Sequence, residues 1–201
     1  MLRVGLTGGL ASGKTFVGHA LAELGCHLIE ADELGHQVLL PGAEAYDPVV
    51  NEFGEEILDQ DRHIVRRKLG ALVWNNPERL AKLNSIVHPV VIARQQGIIA
   101  QIAQTDPAAI VVVEAAILVE TGSYRRFDRL IVVVCTAEQQ MERAMKRGAY
   151  SKEEVLARLS RQLPLEEKVR VADYVIDTSG AKEHTLEQVK AVYNSLRSLS
   201  V

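Results

Sequence analysis

Apolar positions along the chain follow two rhythms. Short unbroken runs recur at Leu2–Leu6, Cys26–Ile29, Ile110–Val113, Leu130–Val134 and Tyr174–Ile176. They are rich in β-branched residues and do not alternate with polar ones, as expected of strands in a parallel sheet with helices on both faces. Between them, apolar residues recur at helical spacing. Phe16, Val17, Ala20, Leu21 and Leu24 mark one face of the first helix, and Leu186, Val189, Tyr193 and Leu196 mark the last, which is expected to close the chain against the sheet. The pattern predicts an α/β fold, doubly wound, with five strands.

One interval breaks the rhythm. From Asp32 to about Asp106 no strand pattern is found, only helical spacing punctuated by Pro41-Gly42, Gly54, Asn75-Asn76-Pro77 and His88-Pro89. Some seventy residues exceed what a simple crossover needs, so the stretch reads as a helical insertion carried on the sheet. The predicted organisation is a core of residues 1–32 and 107–201 around an insertion of residues 33–106.

Composition narrows the classes. With 201 residues, 47% of them apolar, the chain can bury a substantial core. A net charge of −3 gives no general footprint for nucleic acid. No apolar run approaches the ~20 residues of a membrane span, and the first residues carry neither a signal-peptide nor a transit-peptide pattern. The expectation is a cytoplasmic protein, monomeric or a small homo-oligomer, with no membrane or nucleic-acid partner. Cys26 and Cys135 lie in or beside apolar runs and read as reduced core thiols. The histidines show no metal-ligand spacing, so zinc is not expected.

The chemistry begins at "GGLASGKT", Gly8 to Thr15. It satisfies G-x-x-x-x-G-K-[ST] after a strand and at a helix start, with a chance match on the order of 1%. A phosphate-binding loop is therefore carried forward over a chance glycine turn. Such a loop turns its N–H groups inward, which calls for backbone angles that Gly8, Gly9 and Gly13 are expected to supply. The helix start adds unpaired N–H groups and the positive end of its dipole. Lys14 can reach the β- and γ-phosphates of a nucleotide, and the Thr15 hydroxyl can hold Mg²⁺. The expected nucleotide-binding set is Gly8, Gly9, Ala11, Ser12, Gly13, Lys14, Thr15 and Phe16.

A phosphate-binding loop alone does not separate a GTPase, a motor ATPase and a small-molecule kinase. No guanine-reading N-K-x-D string occurs. A small kinase needs a base, an acceptor domain and a lid with arginines, and each has candidates. Asp32 directly follows the second strand, on the same rim as the loop and one strand over. There it can accept a proton from an attacking hydroxyl or cap the next helix, and position alone leaves both roles open. The stretch from Glu142 to Arg170 holds eight Lys/Arg against five Glu, locally +3. Arg143 and Arg147 lead the candidates for neutralising charge in the transition state, against the alternative of exposed ion-paired helix faces. Glu114, at the end of the third strand, stands where such kinases place an acid that holds Mg²⁺ through water, or it caps the following turn; Glu120 reads as a simple helix-face charge.

Seven blocks in order then carry a resemblance: "GLTGGLASGKT", "ADELGHQVLLPG", Phe53-Gly54, "LNSIVHP" (Leu83 to Pro89), "EAAILVE", "RAMKRGAYSKEEVLARLSRQ" and "ADYVIDTSG" (Ala172 to Gly180). In these the chain resembles the dephospho-coenzyme A kinases over essentially its whole length. The resemblance implies a P-loop NTPase core, a helical domain binding dephospho-CoA, and a small lid within about residues 142–170. It also implies transfer of the γ-phosphoryl of ATP to the ribose 3′-hydroxyl of dephospho-CoA, with Asp32 as base and Arg143 and Arg147 at basic positions near the lid. Three departures stand out. Glu30-Ala31-Asp32 replaces Asp-Ala-Asp, Glu114-Ala115-Ala116-Ile117-Leu118-Val119-Glu120 lacks a usual proline, and Asp177-Thr178 replaces a common Asp-Asn.

A pyrophosphate-bearing acceptor would suit the basic segment "DRHIVRRKLG", in which Arg66 and Arg67 are candidates beside Arg62 and Lys68. The alternative is a solvated charged face. His88 either touches the acceptor or caps a helix end. Trp74, the only tryptophan, is expected in the core. The remaining alternatives are a kinase for another nucleotide or nucleoside, and a non-catalytic protein that senses ATP.

Overall fold

Parallel β-strands leave no hairpin route between neighbours; α-helices return the chain between most of the strands, and the third strand passes to the fourth by way of a short 3₁₀ turn (Ser123–Arg126). The structure, a computed structural model, describes residues 1–74, 76–146, 152–160 and 162–200. Five strands, β1 (Leu2–Gly8), β2 (His27–Glu30), β3 (Ile110–Glu114), β4 (Arg129–Val134) and β5 (Tyr174–Asp177), form one parallel sheet in the order β2-β3-β1-β4-β5. Each expected run is a strand, with ends displaced by one or two residues. Because β3 lies between β1 and β2, the strand that Asp32 follows is two places from β1, not one as expected.

The chain forms two compact units. The first, Met1–Glu30 with Ile102–Val201, contains the sheet. Alternation inside the apolar runs shows why they need no polar partner. Ile131 and Val133 join a core with Val17, Ala20 and Leu21 of α1 (Lys14–Glu23) and Val189, Val192 and Leu196 of α9 (Lys182–Leu199). Leu130 and Val132 point the other way, into a cluster with Leu118, Tyr124 and Phe127. Both faces of the strand are thus buried, and period two is hidden because every position is apolar. Phe16 departs from the helical pattern: it is exposed, with the Lys182 ammonium 5.9 Å from its ring centre.

The second unit, Ala31–Gln101, carries α2 (Ala31–Gln37), α3 (Tyr46–Phe53), α4 (Arg66–Val73) and most of α5 (Pro77–Thr105). Its described residues hold no strand, only an isolated bridge between Leu58 and Ile64. Its own core gathers Tyr46, Val49, Val50, Phe53, Ile57, Leu58, Leu69 and Val73. Asn76 starts α5 by accepting from the Arg79 N–H at 3.0 Å, and Pro77 takes the first helical position, where its missing N–H costs nothing. Asn75 lies outside the described residues. Pro89 does not end the helix, although X-Pro is ordinarily a boundary. Leu80, Leu83, Ile86 and Val87, which pack on the unit's core, precede it on the same helix. Trp74 ends α4 half-buried and is not among the core residues.

Between the strands of the first unit, α6 (Ala137–Lys146), α7 (Lys152–Leu159) and the short α8 (Leu165–Val169) follow β4. No helix among the described residues is long and apolar enough to cross a membrane.

Leu21 is fully buried, so Leu21→Ala is expected to cost about 2–5 kcal/mol. Leu199 is 44% exposed, and Leu199→Ala should stay within about 0.5 kcal/mol; urea unfolding curves compare the two. Both cysteines are free and buried, and burial pushes the Cys26 thiol from 9.0 up to about 11. Between those two values the unfolded chain gives up that proton while the folded chain keeps it. Stability should therefore fall as pH rises through this window, and Cys26→Ala should flatten the slope.

Candidate active site

The parallel sheet brings its carboxyl ends to one edge. The register pairs Leu6 and Glu30 with Glu114, Gly8 with Val133, and Val134 with Asp177. The loop from Gly8 to Gly13 leaves β1 on that edge and feeds α1. Gly13 caps α1 in the left-handed region at φ 93°, where glycine is favoured. The other left-handed position in the loop is Ala11, at φ 55°. Gly8 and Gly9 do not use that freedom, contrary to expectation; they are required by space. A β-carbon on Gly8 would lie 2.6 Å from Ser12 Oγ and closer still to the Val133 carbonyl oxygen. One on Gly9 would displace the Gln140 amide, which donates to Leu10 O at 3.1 Å.

Beyond Gly13, the opening N–H groups of α1 lack helical partners and point along its positive end. Lys14 Nζ donates to Gly9 O at 3.0 Å, laying the ammonium across the loop. Thr15 Oγ1 donates to Glu114 Oε1 at 3.1 Å, and Glu114 is buried at 8% exposure. These two hard oxygens, from a hydroxyl and a carboxylate, suit Mg²⁺, which keeps most of its shell for water and phosphate. The contact needs a close helix–sheet approach, and Gly18 permits it: a β-carbon there would sit 3.3 Å from Glu114 Oε2 and 3.1 Å from Leu28. The sequence reading missed Gly18, although a lone glycine inside a helical pattern was a usable signal.

Arg143 does not project freely. Its guanidinium forks onto Thr178, donating from Nη1 to Oγ1 at 3.0 Å and from Nη2 to the carbonyl at 2.7 Å. Thr178 Oγ1 in turn lies 2.7 Å from Ser12 O, so the arginine is tied to the loop through the residue after β5. Arg147 and Arg161 lie outside the described residues. Lys146 pairs with Glu142 at 2.6 Å on an exposed face, the ion-paired alternative stated for this stretch.

Other residues of the stretch brace the loop. Gln162 Oε1 accepts from Leu10 N at 2.8 Å. Lys168 is fully buried, and its Nζ lies 2.6 Å from Glu120 Oε1. Glu120 is thus no simple helix-face charge. Spacing alone gave no means of separating Lys168 from its exposed neighbours.

In the second unit, Asp32 is exposed in the first turn of α2, two residues after Glu30. It lies inside the helix, where an acid favours the positive end of the dipole, and does not precede it as a cap. Glu30 faces His19, at 3.6 Å. Arg66 and Arg67 are exposed and open α4, where cations oppose the dipole unless an anion is near. Lys68 and Arg62 are engaged elsewhere: Lys68 Nζ donates to Leu58 O at 2.6 Å, and Arg62 pairs with Glu55 at 3.1 Å. His88 is half-buried well inside α5, not at a helix end, and burial holds its imidazole below the usual range. One turn on, Glu44, Pro89, Val90, Ala93 and Arg94 line a shallow groove, crossed by an Arg94–Glu44 pair at 2.6 Å.

Residues 2–184 match the family model described as dephospho-CoA kinase. The chain is 41% identical over 196 residues to the dephospho-CoA kinase of Aquifex aeolicus, covering 98% of both chains. It is 42% identical over 189 residues to that of Carboxydothermus hydrogenoformans, covering 94% of this chain and 91% of the relative. Its fold matches the solved dephospho-CoA kinase from Campylobacter jejuni with a TM-score of 0.73 at 25% identity, covering 99% and 98% of the two chains. By the match along nearly its whole length, the chain belongs to the dephospho-CoA kinase family.

Proposed function

We propose that the chain transfers the γ-phosphoryl of ATP to the ribose 3′-hydroxyl of dephospho-CoA, giving CoA and ADP, the final step of coenzyme A biosynthesis. The observation that carries this reading is the family match over residues 2–184. The transfer is direct and in line, without a phospho-enzyme.

The loop from Gly8 to Thr15 grips the nucleotide's phosphates through main-chain N–H groups and the start of α1. Lys14 moves from Gly9 O, where it rests at 3.0 Å, to the β- and γ-oxygens and offsets the charge gathering there. Thr15 and Glu114 would hold Mg²⁺, Glu114 through water, and the ion would supply charge neutralisation to the phosphates. Ala11, Ser12 and Phe16 complete the nucleotide's surroundings. Asp32 aligns the ribose hydroxyl and takes its proton. Arg66, Arg67 and His88 receive the acceptor, the arginines meeting its pyrophosphate. Arg143 and Arg147 neutralise the equatorial oxygens in the transition state. Closure of the lid excludes water, which would otherwise compete as acceptor.

ADP release measured with and without dephospho-CoA tests the substrate, and AMP, uridine and shikimate serve as competing acceptors. Turnover should require dephospho-CoA. Equal or faster turnover on another acceptor identifies a different kinase, and ATP binding with no ADP from any acceptor identifies a sensor. Lys14→Ala and Asp32→Asn should each abolish turnover, a loss of at least about 100-fold, with circular dichroism and melting unchanged. Near-normal kcat in Asp32→Asn removes that residue from the base role.

A further inference from the structure

Lys168 is the only Lys or Arg that is buried among the described residues, and the proposed chemistry makes no use of it. Its Nζ has three oxygen partners: Glu120 Oε1 at 2.6 Å, Ala116 O at 3.1 Å and Gly8 O at 3.4 Å. Glu120 Oε1 also accepts from Leu163 N at 3.2 Å, next to Gln162, whose side chain takes the Leu10 N–H. One ammonium thus joins the first residue of the phosphate-binding loop, the segment after β3 and the segment leading to α8.

Burying an ion pair carries a desolvation cost that an apolar pair of equal volume avoids. Packing alone would therefore favour a methionine or leucine at this position. Only a multiple donor can hold two main-chain carbonyls from separate loops at once, and the two held here border the same sheet edge. We infer that Lys168 is a positioning residue. Locked by Glu120, its ammonium fixes the Gly8 carbonyl and with it the conformation in which the loop receives nucleotide phosphates. The inference rests on the ATP-binding reading of that loop.

The test uses the double variant Lys168→Met with Glu120→Gln, which removes both charges and leaves neither partner ionised alone. ATP with Mg²⁺ is titrated against wild type and variant, and KM values for ATP and dephospho-CoA are measured beside the melting temperature. ATP affinity should weaken about 10- to 100-fold, while KM for dephospho-CoA stays within about twofold. Unchanged ATP affinity, whatever the melting temperature, makes the pair purely structural and overturns the inference. If the double variant does not fold, Glu120→Gln alone decides, since it keeps an acceptor oxygen and removes the counter-charge. It must show the same loss confined to ATP, and equal loss for both substrates, or for neither, overturns the inference. Wild-type protein that fails to bind ATP instead overturns the reading of the loop itself.

Discussion

All five strands run the same way, and that constraint organises the rest of the first unit. Strands in parallel send their chain ends to one edge, so Gly8, Glu30, Glu114, Val134 and Asp177 finish on the same rim although far apart in sequence. Helices cover both faces of the sheet, which is why the central strands β3 and β4 are almost wholly apolar and buried, while the edge strands β2 and β5 keep exposed positions. Chemistry is then restricted to the rim and the loops that leave it. The Thr15–Glu114 contact, from a helix start and a strand end 99 residues apart, follows from that arrangement.

The loop on this rim is held from several sides. Thr178 supports it at Ser12, Gln162 and Gln140 hold Leu10 by its N–H and its carbonyl, and Lys168 reaches Gly8. Each of these partners comes from the chain after β4. The stretch read from its charge as a lid is therefore also a brace. A preorganised loop spends little on ordering itself when a ligand binds.

Much of this was legible in the sequence because it rested on composition and spacing. Continuous β-branched runs marked the five strands, and the loop's glycine, lysine and threonine marked a candidate nucleotide site between β1 and α1. What was not legible depended on contacts across long separations. Gly8 and Gly9 were credited with backbone freedom, but a neighbouring carbonyl, a serine hydroxyl and a glutamine amide set their size limit. Lys168 was one of eight cations in its stretch and nothing set it apart, because burial has no local signature for a single residue near the end of a short helix. Pro89 looked like a boundary because a local rule was applied where α5 runs straight through. Phe16 fitted a helical stripe that the helix turns outward at that point. Glu114 was chosen by its place at a strand end and does meet Thr15, whereas Gly18, which makes room for it, passed unnoticed.

Ala11 carries a further implication. A left-handed alanine costs roughly 1 kcal/mol that glycine would not, yet its methyl is buried against Ala144 and Val155, with Leu10, Met141 and Leu159 around them. The side chain that strains the loop is the one that anchors it to α6 and α7. Any displacement of that helix pair would therefore remove the apolar contacts that offset the conformational cost at Ala11.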